Sequence, residues 1–77
     1  MYLAIDIGGT KTLIALFSKR GRVIKRLKFK TSNSSRTFKN DLITSLKSFR
    51  RYNIDLTVVA IPGLVQKNYT VHFGNRN

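Results

Sequence analysis

A chain of 77 residues with 15 Lys and Arg against three acids carries a formal charge of +12, which draws polyanions such as nucleotides, nucleic acid or anionic lipid. A domain this small buries only about 60% of the surface its unfolded chain exposes, so a partner lobe or subunit is expected. The absence of cysteine excludes disulfides and thiolate metal sites, and a carboxylate set of Asp6, Asp41 and Asp55, with no Glu, leaves little for paired acid-base chemistry.

In chain order, Tyr2 to Ile7 is a nearly continuous apolar run and reads as a buried strand. Gly8-Gly9 makes a tight turn, and Thr12 to Ser18, rich in Leu, Ile and Phe, resumes as a second strand. After the turn Lys19-Arg20-Gly21-Arg22, a third strand over Val23 to Lys30 sets Ile24, Leu27 and Phe29 among basic residues. The slip between Ile24 and Leu27 predicts a bulge or a twisted edge. Thr31 to Ser35 is a hydroxyl-rich loop ending in good helix caps. From Arg36 to about Tyr52 the period becomes helical, with Phe38, Leu42, Leu46 and Phe49 on one face and basic residues in the last turn.

Asn53 ends the helix, and Ile54 to Ile61 predicts a fourth strand stopped by Pro62-Gly63. Extended pieces around Leu64-Val65 and Thr70 to Phe73 flank Gln66 to Tyr69 as a hairpin. The order is three antiparallel strands, a crossover helix and a fourth strand that can pair in parallel with the first. The helix covers one sheet face. The first and fourth strands nevertheless read as buried on both sides, which predicts that something outside these residues packs on the other. The longest apolar stretches fall far short of the about 20 residues of a membrane span. Asp6 stands where a signal peptide would have its apolar region, so a cytoplasmic location is expected.

The segment Asp6-Ile7-Gly8-Gly9-Thr10-Lys11-Thr12 carries the chemistry. Two glycines between strands allow positive φ and close approach to a ligand. The amides of Gly8, Gly9, Thr10 and Lys11 can form a nest for phosphate oxygens, with hydroxyls from Thr10 and Thr12 and charge from Lys11. A carboxylate at Asp6 would be repelled by that anion unless a cation lay between, which points to Mg²⁺ held through water. A hairpin that merely contains Gly-Gly, with Asp6 an exposed turn residue, is the plainer alternative. The segment is neither a Walker loop nor a dinucleotide fingerprint, because no helix follows the glycines.

This segment resembles the first phosphate motif of the hexokinase-actin-Hsp70 superfamily and, within it, the ROK family of sugar kinases and repressors. Ala60-Ile61-Pro62-Gly63-Leu64-Val65 is similar to that family's second landmark, and Asn75 falls where the family has Pro-Asn, with Gly74 replacing the proline. The resemblance implies an α/β, ribonuclease H-like (actin-like ATPase) N-terminal segment, residues 1–77 forming one truncated subdomain. It implies ATP and Mg²⁺ as cofactors, with Asp6 on the metal and Gly8 to Thr12 on the phosphates. Gly63 and Asn75 would lie near the hydroxyls of a hexose. It also implies that the catalytic base, the zinc cluster, the second phosphate motif and the adenosine lobe are absent. No catalytic residue is therefore assigned, and the chain alone is expected to bind phosphate weakly without catalysis. Its expected partner is the missing C-terminal kinase lobe, or a second copy through the uncovered sheet face.

Asp41, early in the helix, reads as structural, matched to the N-terminal dipole; Asp55 reads as solvated, and His72 lacks companions for a metal site. Lys19, Arg20, Arg22, Lys25, Arg26, Lys28 and Lys30 line one hairpin, and Lys39, Lys47, Arg50 and Arg51 the helix, with Tyr52 and Tyr69 as stacking candidates. A non-enzymatic basic module that self-assembles or binds nucleic acid is the rival reading. Nucleic acid is not favoured, because no helix-turn-helix, RNP or zinc-finger pattern accompanies the charge.

Overall fold

Alternation of side chains along each strand decides which residues meet the helix. In the computed structural model, which describes residues 1–61 and the strand Asn68–Val71, six elements form: β1 (Tyr2–Ile7), β2 (Lys11–Phe17), β3 (Val23–Lys30), α1 (Ser35–Lys47), β4 (Leu56–Ala60) and β5 (Asn68–Val71). The strands make one sheet in the order β3-β2-β1-β4-β5. β1 pairs antiparallel with β2 and parallel with β4, with Leu3 beside both Leu16 and Thr57 and Ile5 beside both Ile14 and Val59. The meander, crossover helix and parallel fourth strand are thus those expected from the sequence.

Leu3, Ile5, Ile14 and Leu16 form the buried floor on the helix side, closed by Phe49 and flanked by Leu27, Phe29, Leu42, Leu46 and Val59. Side chains of this size contribute roughly 1.5–3 kcal/mol each when fully buried. The expected bulge is present: Leu16 faces Lys25 but Phe17 faces Val23, leaving Ile24 as the extra residue. Ser34 caps α1, its hydroxyl accepting from the Thr37 N–H at 3.3 Å.

The helix is shorter than its periodicity predicts. It ends at Lys47, and the chain tightens through i→i−3 bonds from Ser48, Phe49, Arg50 and Tyr52. That tightening turns Phe49 inward to 1% exposure, whereas no residue of α1 itself is fully buried. The fourth strand starts at Leu56 rather than Ile54. Ahead of it the Asp55 N–H donates to the Met1 carbonyl at 2.8 Å, and the Met1 ammonium donates to Asp55 Oδ2 at 2.6 Å. Asp55 is exposed, as expected of a solvated carboxylate, and it also pairs with the Met1 ammonium.

β5 corrects the predicted terminal hairpin. Asn68 and Tyr69, read as connecting residues, are strand, and β5 pairs back on β4 with Asn68 opposite Ala60 and Val71 opposite Thr57. The expected turn at Pro62-Gly63, the extended piece at Leu64-Val65 and residues His72, Phe73, Gly74 and Asn75 lie outside the described residues.

The sheet's second face carries Tyr2, Ala4 and Asp6 from β1, Leu13, Ala15 and Phe17 from β2, and Arg26, Lys28 and Lys30 from β3. The register sets them in rows: Tyr2 beside Phe17 and Leu56, Ala4 beside Ala15 and Val58, Asp6 beside Leu13 and Ala60. Among the described residues α1 is the one helix, and it lies on the opposite face. Tyr2 and Ile24 are 40% and 42% exposed there. No helix of the described residues is long and apolar enough to cross a membrane.

Candidate phosphate-binding site

The connection between β1 and β2 is closed by the Gly8 N–H, which donates to the Lys11 carbonyl at 2.9 Å. Gly9 and Thr10 form the tip, and their amides have no hydrogen-bond partner among the described residues. Neither glycine lies in the left-handed region; Gly21, at φ 87°, is the positive-φ glycine of the described chain. Their roles are therefore steric, and the expectation of positive φ at this turn does not hold. A Cβ on Gly8 would stand 2.8 Å from the Lys11 carbonyl oxygen, while a Cβ on Gly9 would meet nothing within 4 Å. Gly8 is needed by the fold itself; the bare space at Gly9 is available to something else.

The strand alternation divides the remaining motif residues between the two sheet faces. Asp6 and Lys11 project on the second face, away from α1, and both are exposed. Thr12 projects on the helix side, where it is fully buried and its Oγ1 lies 2.7 Å from Thr31 Oγ1. Its hydroxyl, expected among the phosphate donors, is occupied in tying β2 to the residue after β3. The Gly8 amide is likewise committed to the turn. Thr10 lines a cleft of about 670 Å³ together with Gly9, Lys30, Thr31, Ser32, Asn33, Ser34 and Asp41.

The sequence puts Asp41 early in the helix, matched to the N-terminal dipole. α1 begins at Ser35 and has no acid in its first turn; Asp41 lies further along, beyond the reach of that effect, and instead forms a wall of the cleft. Nothing in the local pattern signals this, because the neighbourhood is made by the β3–α1 loop folding beside the β1–β2 turn. The Thr31 N–H donates to the Thr10 carbonyl at 2.8 Å and joins the two segments.

The corner thus offers two free amides at Gly9 and Thr10, open space above Gly9, a free carboxylate at Asp6 and an ammonium at Lys11. That donor set fits an oligophosphate accompanied by a divalent cation: amides and lysine for the anion, the carboxylate for the cation. Asp6 has no ion-pair partner among the described residues. The candidate sugar contacts Gly63 and Asn75 lie outside the described residues.

The basic surface is less uniform than the sequence implies. Lys25 points to the helix side and donates to the Ser48 carbonyl at 2.8 Å, its ammonium 5.0 Å from the centre of the Phe49 ring. Tyr52 is half-buried against the core, with Lys25 and Arg51 over its ring, so it is not a free stacking platform.

The chain matches the model of the ROK family over residues 2–77. It belongs to the ROK family. No curated protein matches it. A similar solved structure is that of a ROK family glucokinase from Streptomyces griseus in complex with glucose and AMPPNP, with a TM-score of 0.71 and 18% sequence identity over 83% of this chain. At that identity the likeness speaks to fold: this ROK family chain has the mixed sheet and helix of a ribonuclease H-like, actin-like ATPase fold. It spans 21% of the length of that glucokinase.

Proposed function

We propose that this chain supplies the first phosphate-binding element of an ATP-dependent sugar kinase. The observation that carries the reading is the turn tip, where the unpartnered amides of Gly9 and Thr10 stand beside a glycine with empty space above it. Family membership supports the same reading, as does the likeness to a glucokinase crystallised with glucose and an ATP analogue. Gly9, Thr10 and Lys11 would hold phosphate oxygens, and Asp6 would hold Mg²⁺ on the same face. Gly63 and Asn75 would contribute to the hexose site. The bound Mg²⁺ would neutralise charge developing on the transferred phosphoryl group.

Phosphoryl transfer also needs a base to orient the sugar hydroxyl, and positioning from both sides of the nucleotide. Of the three carboxylates in the chain, Asp6 would be taken up in holding the metal. Asp41 stands on α1, across the cleft from the turn tip, and Asp55 is tied to Met1 at the far end of β1. The catalytic base and the adenosine contacts would therefore come from further polypeptide. That polypeptide would also cover the apolar second face of the sheet, and the 77 residues by themselves would bind nucleotide weakly without turning over.

Calorimetric titration of the purified chain with Mg-ATP tests the proposal. Binding that is weakened at least tenfold by Gly9→Val and by Asp6→Ala, the latter only when Mg²⁺ is present, is the expected result. Equal affinities for the wild type and both variants would remove the phosphate reading.

A further inference from the structure

We infer that Lys30 is a second phosphate-binding lysine, set opposite Lys11 so that the two ammonium groups grip one oligophosphate at the β1–β2 turn. The inference rests on the phosphate reading of that turn and adds to it a residue outside the motif.

Lys11 and Lys30 are direct partners in the antiparallel register of β2 and β3. The bond from the Thr31 N–H to the Thr10 carbonyl marks the adjoining Thr10–Thr31 position as hydrogen-bonded. Lys11 and Lys30 therefore occupy the non-hydrogen-bonded position, where Cα atoms come within about 4.5 Å and side chains are closest. Phe29 packs on the helix side, its ring 6.1 Å from that of Phe38, so Lys30 projects on the second face with Lys11 and Asp6. Both lysines are exposed, and neither has a carboxylate partner among the described residues.

Like charges directly opposite each other in a sheet destabilise it. Lysine on an exposed edge strand can be explained as protection against strand addition, and β3 is an edge of this sheet. That accounts for Lys28 and Arg26. It does not account for Lys11, which lies on an interior strand and meets Lys30 head-on beside two unpartnered amides. An anion bridging the pair turns the repulsion into two charge-assisted bonds. The ligand chemistry is an oligophosphate, carried either by a nucleoside triphosphate or as a free chain.

The test compares wild type, Lys30→Gln, Lys30→Arg, Lys28→Gln and Gly9→Val by calorimetry with Mg-ATP and Mg-tripolyphosphate, alongside thermal melts with and without tripolyphosphate. Lys30→Gln is expected to weaken both ligands by about tenfold, the scale of one charged hydrogen bond. Lys30→Arg should restore most of that loss, and Lys28→Gln should lose less than about twofold. Without ligand, Lys30→Gln should melt no lower than wild type, since it relieves a repulsion. Equal losses for Lys28→Gln and Lys30→Gln would reduce the effect to net charge and overturn the inference. So would a loss confined to ATP, which would place the contact on the nucleoside. If Gly9→Val abolishes binding while Lys30→Gln leaves it unchanged, the lysine pair fails and the turn stands. If wild type binds neither ligand, both fail.

Discussion

The Lys25 ammonium lies 5.0 Å from the centre of the Phe49 ring while donating to the carbonyl of the neighbouring Ser48 at 2.8 Å. A side chain on β3 thus completes the end of α1. It places a cation on an orphan carbonyl at the negative pole of the helix and lays its stem along the core. Replacing Lys25 with Met keeps the stem and removes the charge. The expected cost is about 1–2 kcal/mol, from a charged hydrogen bond and a partly exposed cation–π contact. Lys28→Met, on the opposite face of the same strand, should stay within about 0.5 kcal/mol. Urea denaturation of the two variants checks the contrast.

The glycines of the first two turns should separate fold from ligand. Gly8→Ala forces a Cβ to within 2.8 Å of the Lys11 carbonyl and is expected to destabilise by about 1–3 kcal/mol, as overpacking does. Gly21→Ala, at φ 87°, should cost about 1 kcal/mol through backbone strain alone. Gly9→Ala meets nothing and should leave the denaturation midpoint unchanged while weakening phosphate binding. Melting curves and Mg-ATP titrations on the three variants give the comparison directly.

The strand order and the face of each strand were legible because apolar runs and their breaks report burial locally. Tyr2 to Ile7 and Val23 to Lys30 are strands over the same residues in sequence and structure, and the slip at Ile24 is a real bulge. What the pattern could not show depends on contacts between distant segments. Phe49 keeps the helical spacing of Leu42 and Leu46 although it lies past the helix end. Thr12 reads like Thr10 two residues before it, yet it lies within β2 and is buried, with its hydroxyl on Thr31, while Thr10 is exposed at the turn tip. Lys25 sits in a run of basic residues, although the alternation that puts Leu27 and Phe29 on the helix side puts it there too. Asp55 is solvated as it reads, but only the parallel pairing of β1 and β4 brings the Met1 ammonium alongside it.

That last contact makes stability depend on pH. The Met1 ammonium, hydrogen-bonded to Asp55 Oδ2 at 2.6 Å, holds the Asp55 carboxyl below its ordinary value, with partial desolvation opposing. A carboxylate with a depressed folded-state pKa adds stability above its unfolded pKa and loses it as pH falls through the folded value. Asp55→Asn should therefore be less stable than wild type at about pH 7, with the gap closing toward about pH 2. Acetylating the Met1 amine should remove most of the gap at neutral pH. Urea midpoints across that range provide the measurement, and a gap that does not change with pH would contradict the ion pair.

Two threonines buried to 0% exposure on the helix side of the sheet should respond in opposite ways to the same substitution. Thr57, beside Leu3 in the parallel register, has an Oγ1 with no hydrogen-bond partner among the described residues. Valine preserves its shape and removes an unsatisfied polar atom, so Thr57→Val is expected to stabilise by about 1 kcal/mol. Thr12 shares its hydroxyl with Thr31 at 2.7 Å in a part-buried position. Thr12→Val strands the Thr31 hydroxyl and should destabilise by about 1 kcal/mol. Thr31→Val should cost a similar amount, and the double variant less than the sum of the two. Because the Thr12 hydroxyl faces the core, Thr12→Val should leave Mg-ATP affinity unchanged once the folded fraction is accounted for. A specific loss of affinity would instead place that hydroxyl on the ligand.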